Sequence, residues 1–258
     1  MNFAELYNMA EDYYVNKEYS KALKCFELAN TIEESNDCIN YIGCCHIEMG
    51  NLVVAEECLL CLIDKCPNWE RPRFNLARAY MKKRKYDKAL ELLNEAELIN
   101  PYNADTLFYF GVYYFAIKNY ELAQQYYLKS IAIDSDESTD SHLNLGMCYF
   151  RQGEFEVALE EFKVAYRLDR SNIDALYDQG LAYMYLQDYS SALTKLIETS
   201  AHRPNDVDCM LDICNCYSKL KDYKKLLIWS NRILELEPDN EIALKISSDA
   251  DLDPASLS

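Results

Sequence analysis

The stretch that decides the fold is SHLNLGMCYFRQGEFEVALEEFKVAYRLD, which runs from Ser141 to Asp169. Its small and large apolar residues recur at helical spacing in two blocks: Leu145, Gly146 and Tyr149, then Ala158, Phe162 and Ala165. Gly153 and Phe155 lie between the blocks and are predicted to form a turn. Gly146 and Ala158 are small enough to let two helices cross closely, and the aromatic residues fill the space around the crossing. The stretch therefore predicts two packed antiparallel helices.

The same pattern recurs along the chain at a nearly constant step. The small residue of the first helix recurs at steps of 33, 34, 34, 35, 34 and 34 residues, as Ala10, Gly43, Ala77, Gly111, Gly146, Gly180 and Cys214. The small residue of the second helix recurs in the same register, as Ala22, Ala55, Ala89, Ala123, Ala158, Ala192 and, with one departure, Leu226. Prolines close four of the units, at Pro67, Pro101, Pro204 and Pro238. These columns predict seven copies of one helical hairpin.

The columns resemble the tetratricopeptide repeat, which shares the period, the small residues at the helix crossing, the abundant Tyr and the closing Pro. The resemblance implies an all-α fold, a right-handed superhelical solenoid of stacked antiparallel helix pairs. We predict a single domain over 1–248, with seven repeats and a C-terminal capping helix. The repeats are expected near 3–35, 36–69, 70–103, 104–138, 139–172, 173–206 and 207–240, the cap at 241–248, and a disordered acidic tail at 249–258. The segment DSDESTD, from Asp134 to Asp140, replaces one closing turn and is expected to be a solvated loop.

Charge and cysteine content narrow the class of protein. The chain has 43 acidic and 26 basic residues and a net charge of −17, so nucleic-acid binding, which needs a basic stripe, is not expected. The basic run from Lys82 to Lys85 is interpreted either as cations suited to a helix C-terminus or as a docking patch for an acidic partner. No secretory signal and no apolar run of ~20 residues is found, so direct membrane insertion is not expected. Eleven cysteines, many at helix-interior positions, indicate reduced thiols and a cytoplasmic protein.

Cysteine is the only residue type that suggests chemistry. Cys58 and Cys61 share one helix face, and Cys44, Cys45 and His46 lie on the preceding helix, so one interpretation is a zinc site. The spacing matches no compact zinc motif, and packed thiols are the favoured interpretation, so no metal or cofactor is predicted. None of the three histidines pairs with an obvious nucleophile and acid, and no glycine loop suits a phosphate, so no enzyme is expected.

In the tetratricopeptide family the first helices line a concave groove, and the resemblance implies a partner-binding site there. The predicted groove residues are Tyr41, Arg71, Phe74, Asn75, Arg78, Lys82, Phe108, Tyr109, Phe115, Asn144, Met147, Phe150, Tyr177, Asp178 and Tyr185. Further groove positions are Tyr7, Asn8, Glu11, Asn40, Cys44, Val112, Leu143, Leu181, Met184, Leu211, Asp212 and Asn215. Asn75 and Asn144 are expected to hold the backbone of an extended peptide. The alternative for each aromatic residue is that it packs against the neighbouring repeat.

The groove chemistry favours one kind of partner. Arg71, Asn75 and Arg78 share one helix face and suit a carboxylate, while repeats four to six offer the aromatic and Met residues enriched at interface hot spots. We therefore expect a non-enzymatic adaptor or co-chaperone-like module that binds an extended protein or peptide segment with an acidic anchor. A clamp for chaperone tails is not expected, because Tyr7 and Glu11, or Asn40 and Cys44 in the other frame, replace its first Lys and Asn. The alternatives are a self-associating structural scaffold and, third, a zinc- or redox-linked protein using the cysteines of repeat two.

Overall fold

The computed structural model of the chain describes residues 1–134 and 138–252, without the side chains of 249–252. Over this described part the secondary structure is fifteen α-helices and no strand. The prediction of an all-α fold is confirmed. The chain divides into two compact units, Met1–Asp134 and Ser135–Ser258, here called unit 1 and unit 2. The single domain over 1–248 stays a prediction. The boundary falls in the acidic segment DSDESTD, of which residues 135–137 lie outside the described residues.

Unit 1 consists of four helix pairs. Its helices are α1 (Phe3–Val15), α2 (Tyr19–Ile32), α3 (Asn36–Glu48), α4 (Leu52–Lys65), α5 (Arg71–Lys82), α6 (Tyr86–Ile99), α7 (Ala104–Ala116) and α8 (Tyr120–Ile133). The two helices of each pair pack on one another, and α2, α4 and α6 also pack on the first helix of the next pair. Each helix pair of this unit therefore packs against the next pair along the chain.

Unit 2 consists of three helix pairs and one last helix. Its helices are α9 (Thr139–Gln152), α10 (Phe155–Leu168), α11 (Ile173–Tyr185), α12 (Tyr189–His202), α13 (Val207–Lys219), α14 (Tyr223–Leu236) and α15 (Glu241–Leu252). Consecutive helices pack on one another here as well. Seven pairs followed by a last helix are what the repeat count predicts.

The small residues lie where the helices of a pair cross. A Cβ atom on Gly146 would come within 2.6 Å of a ring carbon of Phe162, and one on Gly111 within 2.4 Å of the ring of Tyr127. Such distances are far shorter than van der Waals contact, so a side chain at these positions would force the helices apart. The column of small residues is therefore required by the packing.

The turn within each pair is shorter than the sequence analysis predicts. In the fifth pair, only Gly153 and Glu154 lie outside the helices, because Phe155 is already the first residue of α10. Gly153 adopts a φ of 85°, and the backbone N–H of Glu154 donates to the carbonyl of Tyr149 at 2.9 Å. Glycine at a left-handed position closes a helix without further residues. The assignment of Phe155 to the turn was therefore wrong.

The last helix continues beyond the predicted cap. Asn240 caps its first turn, accepting a hydrogen bond from the backbone N–H of Ala243 at 3.1 Å. The helix then runs to Leu252, because no Gly or Pro interrupts it before Pro254. Residues 249–252, which were predicted to belong to the tail, are therefore part of the helix. Residues 253–258 lie outside the described residues.

Candidate functional site

Unit 1 has a shallow pocket of about 240 Å³ formed by its first helices. The residues that line this unit 1 pocket are Tyr14, Asn40, Tyr41, Cys44, Arg71, Phe74, Asn75, Arg78, Asp105 and Tyr109. Six of the predicted groove residues thus come together: Tyr41, Arg71, Phe74, Asn75, Arg78 and Tyr109. Tyr14 and Asp105 were not among the predicted residues, although both lie in groove columns: Tyr14 is the equivalent of Phe115, and Asp105 is the equivalent of Arg71.

The cations in and beside the unit 1 pocket already have partners in the chain. Arg78 forms an ion pair with Glu48, and Lys82 places its Nζ 3.1 Å from the same carboxylate. The side chains of Arg78 and Glu48 are only 17% and 19% exposed. Arg71 is 42% exposed and lies 3.8 Å from Asp37. Of the two arginines predicted to bind a carboxylate, Arg71 is therefore the more accessible to a partner.

The buried polar side chains of the unit 1 pocket are also hydrogen-bonded within the chain. The amide of Asn75 donates to the Oδ1 of Asn40 at 3.1 Å, and both residues are buried. The hydroxyl of Tyr41 donates to Glu11 at 3.2 Å, and burial, with the nearby Glu11 carboxylate, raises the pKa of Tyr41 to about 12. These bonds hold α1, α3 and α5 in register, so the polar groups contribute first to the structure of the unit.

Three predicted residues of unit 1 lie outside the pocket. Lys82 contacts Glu48 at the end of α5, as described. Phe108 packs its ring 5.2 Å from the ring of Tyr109, and Phe115 packs 5.4 Å from Tyr120. For these two aromatic residues, packing within the repeats is what the contacts support.

The basic run is partly neutralised as well. The Nζ of Lys83 lies 2.5 Å from Glu56, a carboxylate that also accepts a hydrogen bond from the Tyr80 hydroxyl at 2.7 Å. The exposed Arg84 lies in the turn, with a positive φ of 56°. Two of the four basic residues, Lys82 and Lys83, thus link the end of α5 to the preceding helix pair, α3 and α4.

Unit 2 has a larger pocket, of about 480 Å³. The residues that line this unit 2 pocket are Met147, Phe150, Arg151, Tyr177, Asp178, Leu181, Met184, Tyr185, Tyr189, Asp212, Asn215 and Lys219. Five of them belong to the predicted site: Met147, Phe150, Tyr177, Asp178 and Tyr185. Arg151, Tyr189 and Lys219 also line it and were not among the predicted residues. Asn144 lies outside the pocket, and its amide donates to the carbonyl of Asp140 at 2.8 Å.

An aromatic cluster forms one wall of the unit 2 pocket. The ring of Tyr185 packs edge-on to Phe150 at 4.9 Å and stacks on Phe155 at 4.8 Å. Tyr185 is nevertheless 58% exposed. A large aromatic residue that is fixed by its neighbours and still open to solvent suits the contact with a partner.

Two carboxyl groups of the unit 2 pocket have different surroundings. The Oδ2 of Asp212 accepts a hydrogen bond from the Tyr177 hydroxyl at 2.6 Å. Burial raises the pKa of Asp212, and this hydrogen bond opposes the rise. The side chain of Asp178 has no hydrogen bond and no ion pair to any residue that the structure describes.

The environment of Asp178 disfavours its charged form. Burial raises the pKa of Asp178 to about 7, and the carboxylate of Asp174 acts in the same direction. Arg203 and Arg151 act in the opposite direction. Because a desolvated carboxylate without a partner is unfavourable, this position is the one in the pocket that gains most from a ligand.

The cysteines form no metal centre in the described part of the chain. All eleven are free thiols there, and no group of three or more His, Cys, Asp or Glu side chains is arranged to hold a metal ion among these residues. Burial raises the pKa of Cys45 to about 12, which keeps this thiol protonated. None of the described helices is both long and apolar enough to cross a bilayer.

Known proteins are similar to this chain in sequence. The family described as "Tetratricopeptide repeat" matches residues 104–171 and again residues 71–103. The TPR repeat-containing protein MJ1428 of Methanocaldococcus jannaschii is 27% identical over 216 residues, which cover 77% of this chain and 38% of that protein. The BBSome complex member BBS4 homolog of Drosophila melanogaster is 24% identical over 187 residues, covering 59% of this chain and 38% of the relative. The chain therefore spans well under half the length of either relative.

A solved structure shares the fold. The crystal structure of YrrB, described as a TPR protein with an unusual peptide-binding site, has a TM-score of 0.61 and 18% sequence identity, and covers 74% of this chain and 97% of that one. The helix pairs, the column of small residues at their crossings and these matches agree with one another. Residues 71–171 therefore belong to the tetratricopeptide repeat family.

Proposed function

We propose that this chain is a non-enzymatic adaptor module, which binds an extended segment of a protein partner along the first helices of its repeats. Tetratricopeptide repeats generally mediate interactions between proteins. The observation that carries the proposal is the unit 2 pocket, a concavity of about 480 Å³ where α9 and α11 present Met, Leu and aromatic side chains and α13 presents polar ones. Such residues supply most of the binding energy of protein interfaces, so this surface suits apolar side chains of a partner.

The sequence relatives agree with a role in assemblies. The BBS4 homolog is described as a member of a complex, and YrrB as a protein with a peptide-binding site. From these two proteins we carry over to this chain only a class of function, the binding of a protein segment. A cytoplasmic location is proposed on the eleven free thiols, which a reducing compartment preserves.

An acidic anchor at unit 1 belongs to the same proposal. Arg71 offers the accessible cation, whereas a partner carboxylate at Arg78 would have to displace Glu48. Asn75 would have to keep its bond to Asn40 while it contacts the partner. Arg71 is therefore the residue that binds the acidic group of the partner in this proposal.

The test is the selection of ligands from a phage library of random peptides of about 16 residues. Selected peptides are expected to shift the signals of ¹³C-methyl-labelled Met147 and Met184 in NMR spectra. Replacing the exposed ring in Tyr185→Ser is expected to weaken their binding about tenfold. Tyr102→Ser, at an exposed Tyr outside both pockets, is the matched control. Failure to select any peptide, or binding that Tyr185→Ser leaves unchanged, would contradict the proposal.

A self-associating scaffold is the second candidate, because α4 exposes a row of apolar side chains. Val53 is 65% exposed, and Val54 and Leu60 are also exposed. A scaffold would show a molar mass that rises with concentration in light scattering, and Val53→Lys would lower it. For an adaptor, the molar mass of the protein alone is expected to stay the same at all protein concentrations.

A further inference from the structure

We propose that the unit 2 pocket holds the side chain of a lysine or arginine from the partner segment, with its cation at Asp178. This inference rests on the proposed function, since it names the chemistry of the segment bound at the same site. It differs from the acidic anchor assigned to unit 1, because it concerns the opposite charge at another pocket.

The shape of the pocket suits a long side chain. Met147, Leu181 and Met184 line it beside the aromatic wall, and Asp178 lines the same pocket. Lysine and arginine pack their aliphatic stems on apolar surfaces while their charged ends seek a polar partner. The volume of about 480 Å³ lies within the range of ligand sites, roughly 300–1,000 Å³, and leaves room for the neighbouring backbone.

Asp178 is the polar group that lacks a partner. Asp212, on the neighbouring first helix, already accepts a short hydrogen bond from Tyr177. Within the described residues Asp178 accepts none, although burial removes much of its water. A cation brought by the partner would replace the lost hydration and restore the charged form of Asp178. An apolar ligand would leave the carboxyl unpaired.

The other charges near the pocket do not neutralise Asp178. Arg203 is paired with Asp174, with 2.6 Å between Nη2 and Oδ1. Arg151 and Lys219 line the pocket but are exposed, so water screens their charges. The recessed carboxyl therefore determines which charge the interior of the pocket accepts.

The test uses four end-capped peptides, Ala-Leu-X-Leu-Ala, in which X is lysine, arginine, norleucine or glutamate. Norleucine has the aliphatic stem of lysine without the ammonium group. Titrations are followed by the ¹³C-methyl signals of Met147 and Met184. At about pH 8 the lysine and arginine peptides are expected to bind at least tenfold more tightly than the norleucine peptide.

Two variants assign that preference to one carboxyl. Asp178→Asn keeps the size of the side chain and removes its charge, so it is expected to abolish the preference for lysine over norleucine. Asp239→Asn, in the exposed turn before α15, is the matched control and is expected to keep it. Melting temperatures of both variants check that unit 2 is folded. The comparison of peptides on the wild-type protein does not depend on either variant.

Titration provides a further readout. The charged groups that act on Asp178 or share its pocket are Arg151 of α9, Asp174 of α11, Arg203 after α12, and Asp212 and Lys219 of α13. Three tyrosines, Tyr177, Tyr185 and Tyr189, also line the pocket. Because the pKa of Asp178 lies at about 7, its carboxyl is mostly neutral below about pH 6 and charged above about pH 8. The peptide lysine stays charged throughout. The preference for lysine over norleucine is therefore expected to shrink several-fold from pH 8 to pH 6.

Each contrary result has its own meaning. Equal binding of the lysine and norleucine peptides at pH 8 would overturn the inference while leaving the adaptor proposal in place. Preference for the glutamate peptide would overturn it, and would indicate that Arg151 and Lys219 bind an acidic side chain of the partner. A lysine peptide that moves neither methyl signal would overturn it as well, and the phage selection decides separately whether the pocket binds peptides at all.

Discussion

At the scale of single residues, Glu48 decides what the cations of repeat three can do. It lies near the end of α3 and forms ion pairs with both Arg78 and Lys82 of α5. The guanidinium of Arg78 also lies 5.8 Å from the centre of the Tyr109 ring. Removing one member of a half-buried ion pair leaves the other without compensation, which costs more than the pair itself contributes.

Arg78→Glu is therefore expected to destabilise unit 1. Two carboxylates would face each other where an ion pair now lies, and the free energy of unfolding should fall by roughly 1–3 kcal/mol. Denaturant unfolding followed by circular dichroism measures the loss. Arg84→Glu, an exposed substitution in the same basic run, is expected to change little. The double variant Glu48→Arg, Arg78→Glu should regain part of the loss, and an Arg78→Glu protein as stable as wild type would contradict this account.

At the scale of elements, all the turns within helix pairs share one backbone feature. Each has a single residue with positive φ: Lys17, Gly50, Arg84, Lys118, Gly153, Gln187 or Lys221. That conformation ends the first helix and lets the second begin two residues later. Glycine adopts it readily, whereas in other residues the Cβ comes too close to the backbone, which is energetically unfavourable.

Gly153→Ala is expected to lower the free energy of unfolding by about 1 kcal/mol. No atom lies within 4 Å of the added Cβ, so the cost comes from the φ of 85° alone. Gln187→Ala, at the equivalent turn, is the control, because both residues carry a Cβ there and the stability should change little. Thermal unfolding of the two variants compares them. An unaltered Gly153→Ala protein would show that the turn relaxes without cost.

The elements could be predicted from the sequence, but the pairing of side chains could not. The recurrence of Gly146 and its equivalents placed the helix crossings, because only small residues fit there. The columns do not distinguish the last turn residue from the first helical one, so Phe155 was assigned wrongly. They also identify groove positions without showing which of them pair. Glu48 lies in the column of Lys82, but its ion pairs, like the isolation of Asp178, depend on distances between helices. Those distances follow from packing, which the repeat period does not encode.

At the scale of the whole molecule, each unit has its own core. In unit 1 one cluster joins residues of α1 to α3 and another joins residues of α3 to α7. In unit 2 the largest cluster spans α12 to α15. Helices contact mainly their neighbours in the chain, so the stability of each unit is close to a sum of pairs and interfaces.

Unit 1 is therefore expected to fold without unit 2. Its four helix pairs exceed the roughly three repeats that a solenoid needs to bury a continuous core. A fragment of residues 1–134 should show a helical circular dichroism spectrum and cooperative thermal unfolding. A fragment of residues 1–66 is the matched comparison, because it lacks the helices that cover Ile47, Ala55 and Leu59 in the intact unit. Its transition should be broad and occur at lower temperature. Equal cooperativity of the two fragments would show that pairs are stable alone, and an unfolded 1–134 fragment would show that unit 1 requires unit 2.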